Sequence, residues 1–320
     1  METAPLRAVD AVEVTIVLDT YVDVLIAGEE GVRRWPMPPD FFLKREYLLA
    51  EHGYAALVTV EEAATRSTIL YDGGLSPDGL AHNLSILDVD PTGLRAIVIS
   101  HSHGDHSGGL EGLFRRYGRL AMPLVIHPEA WRERRVVFPT GAEVLLPPPS
   151  KADLESEGLD VVEERGPTLM LDGRLLVSGQ VDRVTPFETG FPIHQARAAD
   201  GSWEPDPHIL DDQNVVVHVR GTGLVVVSGC SHAGGVNVLR NAIARTGVDR
   251  VAGFVGGIHL TGGLFEDRTE PTVSAFRDLG VGRIVPGHCT GWAATHAFAR
   301  EMPEAFVQPS VGTVLRWEAP

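Results

Sequence analysis

Four side chains of metal-binding type stand within six residues, His101-Ser102-His103-Gly104-Asp105-His106, directly behind the apolar run Leu94 to Ser100 (LRAIVIS). A short apolar run of that kind belongs in a buried strand. Ionisable groups crowded at the end of a buried strand repel one another or stay unsatisfied unless a cation gathers them. A solvated polar loop is the plainer alternative, and the abrupt change from apolar run to cluster weighs against it. His101 and His103, two apart on an extended turn, can aim ring nitrogens at one cation. Asp105 and His106 are displaced along the chain and suit a second. Imidazole and carboxylate together favour zinc, with iron or manganese as alternatives. Gly104, Gly108 and Gly109 give the tight turn the backbone freedom it needs.

The rest of the chain supplies a frame. Val12 to Leu18 reads as a strand, and Tyr54 to Val60 with Ser67 to Tyr71 as a hairpin that ends in Asp72-Gly73-Gly74. Leu110 to Tyr117 reads as a helix and Leu124 to His127 as a strand. Val215 to Val219 and Leu224 to Ser228 form a second hairpin, and Val236, Leu239 and Ile243 share one face of a helix that stops near Gly247. Val251 to Val255 is a strand, Pro271 to Leu279 a helix, Arg283 to Pro286 a strand, Ala293 to Arg300 a helix and Val311 to Trp317 a closing strand. Hairpins early and alternation late predict an α/β architecture of mixed sheets covered by helices, as one domain over residues 1–320. Met1 to Asp10 reads as a loose leader and Gly28 to Leu43 as a surface excursion. From about 139 to 212 the pattern weakens, with Pro147-Pro148-Pro149 and only a short strand at Leu175 to Ser178. That stretch is expected to be a loop-rich insertion that covers the site and sets substrate choice.

Lys and Arg total 27 against 43 Asp and Glu, a formal charge of −16. Such a field repels phosphate backbones and anionic lipid, so nucleic acid and membranes are poor partners. Small anionic substrates stay open, because bound cations reverse the sign locally. The N-terminus lacks a basic and apolar leader, and no apolar run is long enough to span a bilayer, so the expected compartment is the cytoplasm. Oligomeric state is not legible. The two cysteines, Cys230 and Cys289, are expected to be free thiols close in space.

His-x-His-x-Asp-His behind a hydrophobic strand resembles the signature of the metallo-β-lactamase superfamily, and Asp72-Gly73-Gly74 resembles that superfamily's first motif, whose aspartate braces the metal loop. Four further stretches narrow the likeness: Glu51-His52-Gly53, Ser228-Gly229-Cys230-Ser231-His232-Ala233-Gly234, Gly256-Gly257-Ile258-His259-Leu260 and Pro286-Gly287-His288-Cys289-Thr290-Gly291. They resemble the subgroup of metal-dependent hydrolases related to 7,8-dihydropterin-6-methyl-4-(β-D-ribofuranosyl)aminobenzene-5′-phosphate synthase. The resemblance implies an αββα sandwich of two mixed sheets flanked by helices, and two divalent metal ions, zinc first. It makes His232 the third ligand beside His101 and His103, and His288 the third beside Asp105 and His106. Both histidines follow strands, which agrees.

One departure concerns the bridge between the cations. Many superfamily members place an aspartate where this chain has Gly229-Cys230. Cys230 as a thiolate, Asp211 or Asp212 from the preceding loop, or a water or hydroxide alone are the open choices, and a buried inert Cys230 outweighs ligation. His259 is the candidate catalytic residue beside Asp105, stabilising charge on the leaving side. His52, Arg183 and Glu188 are possible pocket residues; His82, His127, His194, His208, His218 and His296 are read as surface or packing residues. The expected activity is hydrolysis of a small ester or phosphoester by a hydroxide made available between two cations. A pterin-linked transfer is the alternative, and a nuclease is disfavoured by charge.

Overall fold

The computed structural model describes residues 4–44 and 46–320. Two large sheets lie face to face. One runs in the order Asp160–Glu163, Pro123–Ile126, Ile97–Val98, Thr65–Tyr71, Ala55–Glu62, Ala11–Leu18, Val314–Glu318, Val32–Arg33. The other runs Thr168–Met170, Leu175–Val177, Asn214–Val219, Gly223–Ser228, Val251–Gly256, Ile284–Pro286, with Ala8–Val9 paired to Asn214–Val219. Val12, Val14 and Ile16 of the first sheet pack against Val215, Val217 and Val225 of the second in one buried cluster. The outer face of each sheet is covered in turn. Leu80, Leu84, Leu110 and Leu113, from the helices Gly79–Ile86 and Leu110–Tyr117, close over the first sheet. Val236, Leu239, Phe276 and Phe298, from Gly235–Thr246, Thr269–Asp278 and Trp292–Glu301, close over the second. The result is a helix–sheet–sheet–helix sandwich, as expected. Gly223–Ser228 and Val251–Gly256 are buried along their whole length, which is why they read as unbroken apolar runs rather than as alternating strands.

Parallel pairing decides where the chemistry sits. Thr65–Tyr71, Ile97–Val98 and Pro123–Ile126 run parallel, as do Gly223–Ser228, Val251–Gly256 and Ile284–Pro286. The segments that carry Asp72, the His101 cluster, Cys230 with His232, His259 and His288 all follow the C-terminal ends of these strands, the edge where open α/β sheets hold ligands.

Three expectations change. The leader is not loose where it is described: Ala8 and Val9 pair in parallel with His218 and Val219, and Val9 is fully buried; Met1, Glu2 and Thr3 lie outside the described residues. The excursion at Gly28 to Leu43 includes Val32–Arg33, an edge strand on Val314–Glu318 that buries Val32, and a helical turn at Phe41–Lys44. The stretch from 139 to 212 is more regular than its prolines suggest. It holds the helix Lys151–Ser156, adds strands to both large sheets, and contributes Glu143–Leu146, His194–Arg197 and Trp203–Pro205 to a small sheet with Arg134–Val137. Strands as short and charged as RRVV and HQAR carry no readable period. Among the described residues no helix is long and apolar enough to cross a membrane.

Candidate metal centre

The site is built outward from Asp72, a buried residue whose left-handed backbone (φ 62) turns its carboxylate under the histidine loop. Its Oδ1 accepts from the Ser100 backbone N–H at 2.7 Å, and its Oδ2 accepts from the Ser100 hydroxyl at 2.7 Å and lies 2.7 Å from His106 Nδ1. With the hydroxyl proton directed at Asp72, Ser100 Oγ accepts from His101 Nδ1 at 2.9 Å. One network thus fixes both rings, with Nδ1 of His101 and His106 held and Nε2 turned inward. The neighbouring strand end must be glycine: a Cβ on Gly229 would fall 2.3 Å from Ser100 Oγ and 2.7 Å from Asp72 Oδ2.

His101, His103 and His232 bring one ring nitrogen each to within 4.8 Å of one another. His101 Nε2 and His232 Nε2 are buried with no hydrogen-bond partner. His103 Nε2 lies 3.1 Å from His194 Nε2, and His194 Nδ1 lies 3.0 Å from the Asp206 carbonyl oxygen. The carbonyl can only accept, so His194 carries its proton on Nδ1 and receives the His103 Nε2 proton on its own Nε2. That leaves His103 Nδ1 as the free lone pair. Burial, with help from neighbouring imidazoles, pushes His101 and His232 well below the ordinary histidine range and His103 down to about 3. All three are neutral donors, the form a cation needs.

Asp105, His106, Cys230 and His288 form the second group, again within 4.8 Å of one another. Asp105 Oδ2 is 3.2 Å from His288 Nε2 and 3.7 Å from the Nε2 atoms of His106 and His52. His288 takes a left-handed backbone (φ 49), and its N–H donates to Asp19 Oδ1 at 2.7 Å. Burial works against charge here and loses. His106 and His288 hold the Asp105 carboxyl well below the usual range. Against the same burial, Asp105 and Asp72 lift His106 to about 9. This half of the site therefore holds protons where the first half sheds them, and a cation would replace them.

The remaining expected residues fall into place around these groups. His259, on a left-handed backbone (φ 44), has its ring 4.4 Å from that of His232, and brings a nitrogen to within 4.8 Å of the Cys230 and Cys289 sulfurs. Its Nδ1 is buried without a partner. His52 is largely exposed at the mouth beside Asp105. Glu188 is structural: its carboxylate accepts from the Val236 and Asn237 N–H groups at 2.8 and 2.9 Å, capping the helix behind His232. Arg183 donates to the His208 carbonyl oxygen. Neither aspartate considered as a bridge stands with the donor groups. Both Asp211 oxygens are held by Arg134, at 2.7 and 2.9 Å, and Oδ2 also accepts from Ser102 N. Asp212 Oδ2 accepts from Ala233 N at 2.9 Å, and burial raises its carboxyl to about 6.

Two residues escaped the sequence reading. His194, taken for a surface or packing residue, is fully buried and hydrogen-bonded to His103. Arg134, which the sequence reading did not single out, is 2% exposed and joins Asp206, Asp211 and the Ser102 side chain. No spacing in the sequence marks either one.

Neutral imidazoles with orphaned lone pairs, a carboxylate and a thiol, gathered in two adjoining buried groups, fit a pair of divalent cations of the zinc class. A sandwich of this form with such a site at one sheet edge is the arrangement of the metallo-beta-lactamase fold, and the comparisons agree. The chain belongs to the metallo-beta-lactamase superfamily, whose sequence profile matches residues 51–244. It is 28% identical over 298 residues to 7,8-dihydropterin-6-methyl-4-(beta-D-ribofuranosyl)-aminobenzene-5'-phosphate synthase of Methanocaldococcus jannaschii, covering 91% of this chain and 99% of that protein. Among solved structures it is similar to Tm1679, a metal-dependent hydrolase of the beta-lactamase superfamily. The TM-score is 0.71 at 25% identity, over 96% of this chain and 99% of that one.

Proposed function

We propose that the chain is a dinuclear metal-dependent hydrolase of a small ester or phosphoester, with His101, His103 and His232 holding one cation and Asp105, His106 and His288 the other. The observation that carries this reading is the pair of adjoining buried donor groups with unpartnered ring nitrogens. Bound cations would supply Lewis acidity and a nucleophile available at neutral pH. The protein's own residues do the rest. Asp72 and Ser100 hold the rings of His101 and His106, so no reorientation is needed when substrate arrives. Asp105, the partly exposed carboxylate of the set, orients the attacking oxygen by accepting its proton-bearing side at Oδ2. His259, whose ring lies 4.4 Å from that of His232 and whose Nδ1 is buried without a partner, would hold a proton against the departing group. The burial of His101, His103 and His232 excludes bulk water from the donor set. The substrate is a small molecule, and the net charge of −16 supports its not being a nucleic acid.

A second reading rests on the M. jannaschii relative, which is named as a synthase and matches over nearly the whole chain. Here the same residues would serve transfer of a pterin group, with no water attack. Elemental analysis of protein purified without chelator, followed by assays on phosphoesters, lactones and pterin diphosphates, tests both. Two zinc-class ions per chain with phosphoester or lactone turnover supports the first reading. Turnover only with the pterin diphosphate and an aminobenzene acceptor supports the second, and absence of stoichiometric metal overturns both.

A further inference from the structure

We infer that the hollow beside His288 receives the non-reacting part of the substrate, and that this part is a flat, uncharged aromatic ring system seated against Trp292. The inference rests on the hydrolase reading above and adds to it the kind of group that the ester or phosphoester carries.

The hollow measures about 600 Å3, within the range of roughly 300–1,000 Å3 usual for small-molecule sites. Tyr21, Trp292, His296 and Phe306 bring aromatic rings to its lining. Among the described residues that line it there is no Asp, Glu, Lys or Arg, in a chain whose formal charge is −16. A lining without charges takes up a neutral ring at little cost and a charged group only at a high one.

Three segments tie the hollow to the Asp105 side of the metal centre. Gly287 and His288 line it, and His288 stands in the donor group with Asp105. Thr20 and Tyr21 line it too, directly behind Asp19. The Asp19 carboxylate accepts the His288 N–H, and its backbone carbonyl accepts from Glu51 N at 3.0 Å, next to His52 at the mouth. Gly291 abuts the loop that carries His259: its φ is 81, and a Cβ there would fall 2.5 Å from Thr261 Cβ.

Trp292 is 78% exposed, while Trp35, Trp131, Trp203 and Trp317 are buried or half-buried. One indole in water needs no explanation by itself; at the rim of an uncharged hollow it supplies the face on which a planar ring can stack. It opens the helix Trp292–Glu301, and His296, four residues on, sets its ring 4.4 Å from the indole and steadies it. The Tyr21 hydroxyl donates to Asp23 Oδ2 at 3.1 Å, so its ring is what it has left to offer. Ring-on-ring contact gains more than its buried area alone, and a puckered ring of the same carbon count forgoes that gain.

Two matched neutral alcohols, naphthylmethanol and decahydronaphthylmethanol, test this on the protein as purified, with its metal content measured alongside. In isotope-labelled protein each of the five tryptophans gives an indole N–H signal, and that of Trp292 is the one missing from both Trp292→Ala and Trp292→Phe. The naphthyl alcohol is expected to move the Trp292 signal and, by calorimetry, to bind roughly 3- to 10-fold more tightly than its puckered counterpart. Trp292→Ala should weaken that binding roughly 10-fold, and Trp292→Phe should keep most of it. Equal affinity for the two alcohols, an unmoved Trp292 signal, or unchanged binding to Trp292→Ala overturns the ring site whatever the metal content. Binding as expected to protein that holds no stoichiometric metal supports the ring site and overturns the hydrolase reading alone.

Discussion

Asp72 Oδ2 lies 2.7 Å from His106 Nδ1, and both residues are fully buried. Removing the carboxylate frees the His106 ring and also unseats Ser100, which sets His101. Asp72→Ala is therefore expected to weaken metal binding at both positions, by roughly 10–100-fold, more than Ser100→Ala does. Competition with a chromophoric chelator measures it, and unchanged affinity in a folded variant would reject the bracing role.

His194 should act on one cation alone. Its Nε2 accepts the proton of His103 Nε2, so His194→Ala lets that ring rotate and lowers affinity at the three-histidine position, again roughly 10–100-fold. His194→Gln offers an amide oxygen at a similar reach and should restore part of the loss. Equal losses at both positions in a two-site titration would contradict so local a role.

His259→Ala should retain both metals and lower kcat by roughly 100- to 10,000-fold, the range for loss of a positioned acid or base. Metal analysis beside steady-state kinetics separates this from damage to the donor set. Full turnover in the variant would remove His259 from the chemistry.

Asp212 gives a pH signature to stability. Burial raises its carboxyl from 3.8 to about 6 in the folded protein. The folded state then binds more protons than the unfolded state between those values, so this group's effect on stability declines as pH rises from 4 to 6 and is level above. The span corresponds to roughly 3 kcal/mol, at 1.36 kcal/mol per unit. Denaturant unfolding of metal-free parent and Asp212→Asn across pH 4 to 7 should show a shallower decline in the variant. Parallel curves would assign the burial penalty elsewhere.

The parts of the site legible in the sequence share one property: each stands directly behind an apolar run. His101 to His106, His232, His259 and His288 are found that way, because parallel strands end at one edge and bring the succeeding residues together there. Asp72 is found by its resemblance to the superfamily's first motif, and its left-handed backbone carries the carboxylate to the loop; Asp19 also follows a strand, and nothing in the sequence marks its bond from the His288 N–H. His194 and Arg134 lie in short strands of a small sheet, where one or two buried positions leave no period to read. Their roles depend on the fold of the intervening stretch, which the prolines disguised.

Arg134 carries a further consequence. Its guanidinium is buried between the small sheet, Asp211 ahead of the strand Asn214–Val219, and Ser102, which separates two metal-binding histidines. Stranding either charge of such a pair costs about 3–5 kcal/mol, a large fraction of a domain's whole stability. The small sheet is thus keyed to the histidine loop and cannot be exchanged as an independent cassette. Any transplant meant to give this scaffold a new specificity has to carry Arg134, or matched apolar replacements for it, Asp206 and Asp211 together, or the recipient loses its footing before its chemistry can be judged.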